Sequence, residues 1–179
     1  MTHRSERKVA VKVWDLPTRL FQWALAGLVV FSFVTGKLGS TSLHQSSGLA
    51  ILSLVLFRLV WGFVGGTHAR FKDFVRGPRA ALEYLKGRAY YIGHNPLGGA
   101  MVMALLAALL LQAALGLFGN DDISFDAPLS KFVSKGQSDA ATHYHALLIK
   151  LILAMVALHV GAAFFYLFAK KENLIRPMI

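Results

Sequence analysis

Four long apolar runs, at residues 20–36, 43–64, 97–118 and 144–168, are separated by polar and charged segments. A helix needs about 20 mostly apolar residues to cross the hydrocarbon core of a bilayer. The pattern therefore predicts an all-α fold, an integral membrane four-helix bundle forming one domain over residues 1–179. The first run is the shortest and imitates the apolar core of a signal peptide. Its charged leader is long, however, and no small-x-small cleavage pattern follows it at residues 35–40, so it reads as a retained helix.

The connecting segments differ in character. Residues 37–42 form a short hairpin. Residues 65–96 carry the turn signals Gly65-Gly66, Gly77-Pro78 and Asn95-Pro96 around an amphipathic stretch at 78–85, where Pro78 suits a helix start. Residues 119–142 are acidic and polar, with room for a soluble partner or a short surface helix. No internal repeat or low-complexity region is visible.

Composition sharpens this picture. The chain has 179 residues, 55% hydrophobic and 16% charged, with no cysteine, and a mean hydropathy of +0.52. The missing thiols exclude disulfides, thiolate metal sites, iron–sulfur clusters and c-type haem attachment. A net charge of +10 invites a nucleic-acid partner. The charges sit only between apolar runs, so they read instead as a topology signal and no nucleic acid is expected. Arg4, Arg7, Lys8, Lys12, Arg19, Arg70, Lys72, Arg76, Arg79, Lys86, Arg88, Lys170, Lys171 and Arg176 fall on one side. Lys37, Lys131 and Lys135 face Asp121, Asp122, Asp126 and Asp139 on the other. The positive-inside rule then puts both termini in the cytoplasm.

Ionisable and polar residues within spans are expensive and point to function. The candidates are Gln22, His44, Arg58, Gln112, His145, Lys150 and His159. His145 and His159 are fourteen residues apart on one helix, within about 40° of the same face and roughly 21 Å apart along the axis. Leu148, Ile152 and Val156 continue that face. With the predicted topology, His44 shares the outer depth of His145, and Gln22 the inner depth of His159. Two imidazoles meeting across a bundle suit axial ligation of a b-type haem, and Gly48, one turn after His44, leaves room for a flat macrocycle. A lone histidine in a membrane helix more often bonds a neighbouring helix than a metal; the matched depths favour ligation. Zinc fits less well, since tetrahedral coordination needs more donors at one level.

Arg58 has two readings, snorkelling to the inner interface or pairing with a haem propionate. Lys150 either snorkels outward or supplies charge to a quinone or small-anion pocket. Gln112 reads as interhelical glue, and Trp14, Trp23 and Trp61 as interfacial residues. His143, His3 and His68 read as ordinary polar-segment residues, and His94 stands just before Pro96 at the inner surface. Signatures of hydrolases, phosphate-binding loops and zinc proteases are absent.

Several segments together resemble the bacterial cytochrome b561 family, in particular the branch of nickel–iron hydrogenase b-type cytochrome subunits. They are Val13-Trp14-Asp15-Leu16-Pro17-Thr18-Arg19-Leu20-Phe21-Gln22-Trp23, His44-x-x-x-Gly48, Arg58-x-x-Trp61-Gly62, Gly93-His94-Asn95-Pro96-Leu97-Gly98, and the pair His145 and His159. The resemblance implies two b haems. His44 and His145 would ligate the outer one; His159 and position 22 would ligate the inner one. The family usually reads Phe-His-Trp where this chain has Phe21-Gln22-Trp23. Three readings follow: an inner haem five-coordinate on His159 with Gln22 on its open face, a sixth ligand from another group such as His94, or no inner haem and a quinone in its place.

The expected function is electron transfer between the quinone pool and a redox partner, such as a periplasmic cytochrome. Alternatives are an enzyme, a superoxide:quinone oxidoreductase using Lys150, and a non-redox membrane anchor subunit.

Overall fold

The computed structural model describes residues 14–88, 91, 95–123 and 125–179. Four long helices carry the bundle: α1 (Leu16–Lys37), α2 (Thr41–Val64), α5 (Pro96–Phe118) and α6 (Lys135–Phe168). Two short helices, α3 (Phe71–Phe74) and α4 (Pro78–Leu85), lie in the connection between α2 and α5. Extensive packing runs from α1 to α2, from α2 to α5 and from α5 to α6.

Local chemistry explains where the helices begin. Asp15 caps α1, its Oδ1 accepting the Thr18 N–H at 3.0 Å, with Pro17 in the first turn. Asn95 does the same for α5, its Oδ1 accepting the Gly98 N–H at 2.7 Å ahead of Pro96. Ser134 and Gln137 form a capping box that starts α6 at Lys135. That start lies nine residues before the apolar run at 144, so the last third of the expected 119–142 loop is helix. The hairpin from α1 to α2 turns at Gly39, whose φ of +71° suits a residue without Cβ.

The core is thin and the outside is greasy. Phe21, Ile51, Val55, Leu106, Leu109 and Ile152 form the buried cluster, with Leu148 and Val156 packed against it. Ile152 is fully buried, so the helix face that carries His145 and His159 points into the bundle. Leu20, Val30, Leu56, Val60, Phe63 and Phe164 are exposed, a surface that water would not tolerate and lipid covers.

The end of the bundle where α1 begins and α6 ends, hereafter the basic end, is closed by the α2–α5 connection. Phe71 lies on Gly62, where an added Cβ would stand 2.2 Å from the ring, and the Phe74 carbonyl lies 2.7 Å from the Cβ position of Gly99. Asp15 ties three segments together. Its Oδ2 accepts the Trp61 indole N–H at 3.0 Å and the Gly66 N–H at 3.4 Å. The Tyr84 and Tyr166 hydroxyls bond each other, and the Asn95 amide donates to Tyr84 at 3.0 Å, joining α4, α5 and α6. Burial and the Tyr166 contact push the Tyr84 hydroxyl up to about 12. Trp23 donates to the Met178 carbonyl at 2.9 Å, bringing the C-terminal tail back to α1. Trp14 is buried, Trp61 half-buried and Trp23 exposed.

Burial alone would raise the Asp15 carboxyl, but the Thr18, Trp61 and Gly66 donors outweigh it and hold it below the usual carboxylate value. A carboxyl depressed in the folded state stabilises fully above its unfolded value and loses that contribution on acidification. Asp15→Ala is expected to cost about 1 kcal/mol at neutral pH. The gap between wild type and variant in thermal midpoint, followed in detergent by circular dichroism, should narrow as pH falls below about 4.

Candidate functional site

At the opposite, acidic end, His44 in the first turn of α2 meets His145 of α6 across the bundle. The ring centres are 5.9 Å apart with planes at 88°. His44 Nδ1 lies 2.8 Å from the Ser32 carbonyl of α1, with Ser32 Oγ at 3.2 Å. His145 Nδ1 lies 2.9 Å from the Gln112 carbonyl of α5. A carbonyl only accepts, so each Nδ1 carries the hydrogen and donates it. Each Nε2 is left with its lone pair, the state a metal-ligating imidazole requires.

The two rings share two adjoining cavities of about 250 and 380 Å³, each lined by Gly36, His44, Gly48, Ala113 and His145. The first is walled by Ile51, Leu109 and Ile149 and bordered by Lys37; the second opens toward Asn120, Asp121 and Phe125. At Gly48 a Cβ would meet nothing within 4 Å, so the space beside this residue is open. These features fit a flat, apolar macrocycle, which His44 and His145 would hold between them.

Gln112 does more than bridge helices. Its Nε2 donates to the His145 carbonyl at 3.1 Å while its own carbonyl accepts from the His145 ring, so α5 and α6 are clamped reciprocally. Its Oε1 is buried without a hydrogen-bond partner among the described residues.

The other sequence candidates are placed as follows. His159 lies two heptads from His145 on the inward face and is half-buried; Gln22, next to the core residue Phe21, is half-buried too. No side-chain hydrogen bond joins Gln22 to His159 among the described residues. Arg58 is only 2% exposed, so its head does not snorkel to water. Its Nη2 donates to the Ala69 carbonyl at 2.9 Å and its guanidinium stands 5.1 Å and 5.8 Å from the ring centres of Phe71 and Phe74. Its Nη1 is buried without a partner among the described residues. Lys150 and His143 are exposed on α6, and His68 is half-buried in the connection after α2. His94 and His3 lie outside the described residues. Ser32, Gly36, Lys37 and Gly116 line or support the site without having stood out in the sequence. Only the i, i+4 spacing of Ser32 with Gly36 and of Gln112 with Gly116 hints at them.

Arg58→Ala removes a charged hydrogen bond and two aromatic contacts from a buried position, so a loss of about 2 kcal/mol or more is expected. The measurement is the thermal midpoint in detergent, with faster proteolysis of the α2–α3 connection as its local counterpart.

A family model described as prokaryotic cytochrome b561 matches residues 13–179. The chain is 27% identical to the probable Ni/Fe-hydrogenase B-type cytochrome subunit of Azotobacter vinelandii, over 97% of this chain and 88% of the relative. The probable Ni/Fe-hydrogenase 1 B-type cytochrome subunit of Escherichia coli K12 is 26% identical, over 91% and 86%. The Bradyrhizobium diazoefficiens relative of the first name is 23% identical, over 98% and 87%. No solved structure matches the chain. With four helices among the described residues long and apolar enough to cross a membrane, the chain belongs to the prokaryotic cytochrome b561 family, the multi-pass haem b electron-transfer proteins of the bacterial inner membrane.

Proposed function

We propose that this cytochrome exchanges electrons between the quinone pool and a redox partner, using a haem b held between His44 and His145. The observation that carries the reading is the pair of imidazoles from α2 and α6, each tied at Nδ1, with no partner at Nε2 among the described residues, lining the same two adjoining apolar cavities. Bound there, haem b supplies a one-electron couple. The protein's own part is to fix both ring orientations, exclude water with Ile51, Leu109 and Ile149, and offer Lys37 to a propionate at the cavity's edge.

At the other level His159 offers a single imidazole, about 21 Å along α6. We assign a second haem to it, with Gln22 on the face opposite and His94 as the substitute ligand to examine. The unpartnered Nη1 of Arg58 is the donor available to a propionate at that depth. The lysine and arginine bias supports an orientation with both termini cytoplasmic and the His44–His145 site near the periplasm. Three relatives are named as hydrogenase cytochrome subunits, which supports a hydrogenase-type partner here.

Pyridine haemochromogen assay of the purified protein is expected to give two haems per chain, and the oxidised spectrum of the untreated sample to show one of them high-spin because Gln22 is a weak ligand. His44→Ala and His145→Ala should each lose one haem and leave the high-spin signal in place. Unchanged haem content would overturn the ligand assignment. In a separate test, a soluble quinol added to the oxidised protein should reduce haem, read at the α-band; absence of reduction would remove the quinone from the proposal.

A further inference from the structure

The two histidines are seated by one repeated arrangement on the helices that do not bear them. His44 of α2 leans on α1, where Ser32 supplies the accepting carbonyl and Gly36 follows four residues later. His145 of α6 leans on α5, where Gln112 supplies the carbonyl and Gly116 follows four residues later. In an α-helix the carbonyl of residue i points along the axis at the N–H of residue i+4. A side chain at i+4 therefore covers its open flank. With glycine at that place the second lone pair of the carbonyl is reachable from a neighbouring helix.

The local space agrees. A Cβ added at Gly36 would stand 2.9 Å from His44 Nδ1 and 3.1 Å from Cε1. One added at Gly116 would stand 3.1 Å from His145 Cε1 and 3.3 Å from Nδ1. These are the ring atoms that make or flank the hydrogen bonds to Ser32 and Gln112. By contrast, a Cβ at Gly27 of α1 or Gly161 of α6 would meet nothing within 4 Å.

We infer that Gly36 and Gly116 are positioning residues for the histidine pair, each opening a carbonyl notch that sets the tautomer and ring angle of an imidazole from the next helix. The inference rests on the reading of His44 and His145 as haem ligands. On it, α1 and α5 set the ligand geometry of α2 and α6 without contributing a ligand. The donated Nδ1–H raises the basicity of Nε2 and favours the oxidised metal. Crowding a notch with a methyl group pushes the ring off its carbonyl and weakens that donation.

The test uses the haem-loaded protein in detergent, with Gly36→Ala and Gly116→Ala set against Gly27→Ala and Gly161→Ala. Alanine is the better helix former, so propensity alone would leave all four variants as stable as wild type or more so. Each notch variant is expected to raise the midpoint potential of the His44–His145 haem, alter its low-spin resonance signal, and release haem to apomyoglobin about tenfold faster. The second haem should titrate as in wild type, and the two control variants should match wild type throughout. Haem loss confined to the notch variants, with helix content retained, also supports the notch. If His44→Ala and His145→Ala lose one haem while the notch variants titrate and release haem as wild type does, the notch falls and the ligands stand. If the histidine variants keep their full haem, both fall together.

Discussion

An imidazole N–H inside a bilayer has no water to donate to, and leaving it unpaired costs several kcal/mol. Much of the acidic end of this cytochrome follows from meeting that demand. The acceptors are the Ser32 and Gln112 carbonyls, which belong to helices already saturated by their own ladders and so must each take a further donor. Meeting the demand requires α1 against α2 and α5 against α6 at close range, the two most intimate pairings of the bundle. It also determines which ring nitrogen is free, and thereby what the site can bind.

The basic end is held by a different logic. There the fold relies on capping and on polar groups sealed by aromatic rings. Asp15 and Asn95 each begin a helix with one side-chain oxygen and use the other oxygen or the amide nitrogen to join other segments. The family-like segment Trp14-Asp15-Leu16-Pro17 and the Asn95-Pro96 pair thus have a mechanical meaning as helix starts that double as clasps. Arg58, roofed by Phe71 and Phe74 and bonded to Ala69, anchors the connection that covers this end. Between the two ends runs α6, whose heptad of His145, Ile152, His159 and Tyr166 places an imidazole, a core aliphatic, a second imidazole and a hydrogen-bonded phenol on the inward face. One helix therefore links both levels at which electrons are proposed to reside.

Legibility in the sequence varied with the kind of signal. The spans were plain because some twenty apolar residues have few uses outside a bilayer. His44, His145 and His159 stood out because a polar group in hydrocarbon is costly enough to demand a reason. The start of α6 was present as Ser134-x-x-Gln137, a capping box lying outside the apolar run, so hydropathy alone stopped at residue 144. Arg58 was visible as a charge near a span end. Its burial under an aromatic roof was not, since the rings come from α3, outside the spans. Gly36 and Gly116 looked like two glycines among sixteen.

By itself the chain determined the number of spans, their helical state, the shared face of His145 and His159, and the family. These depend on composition and on periodicities of a single helix, which are local quantities. Tertiary structure alone decided that His44 and His145 stand 5.9 Å apart, that both donate from Nδ1, and that the Gly36 and Gly116 backbones lie beneath their rings. Those facts depend on how neighbouring helices are rotated against one another. That rotation is set by close packing and by backbone carbonyls, and a carbonyl is the same at every position along the chain.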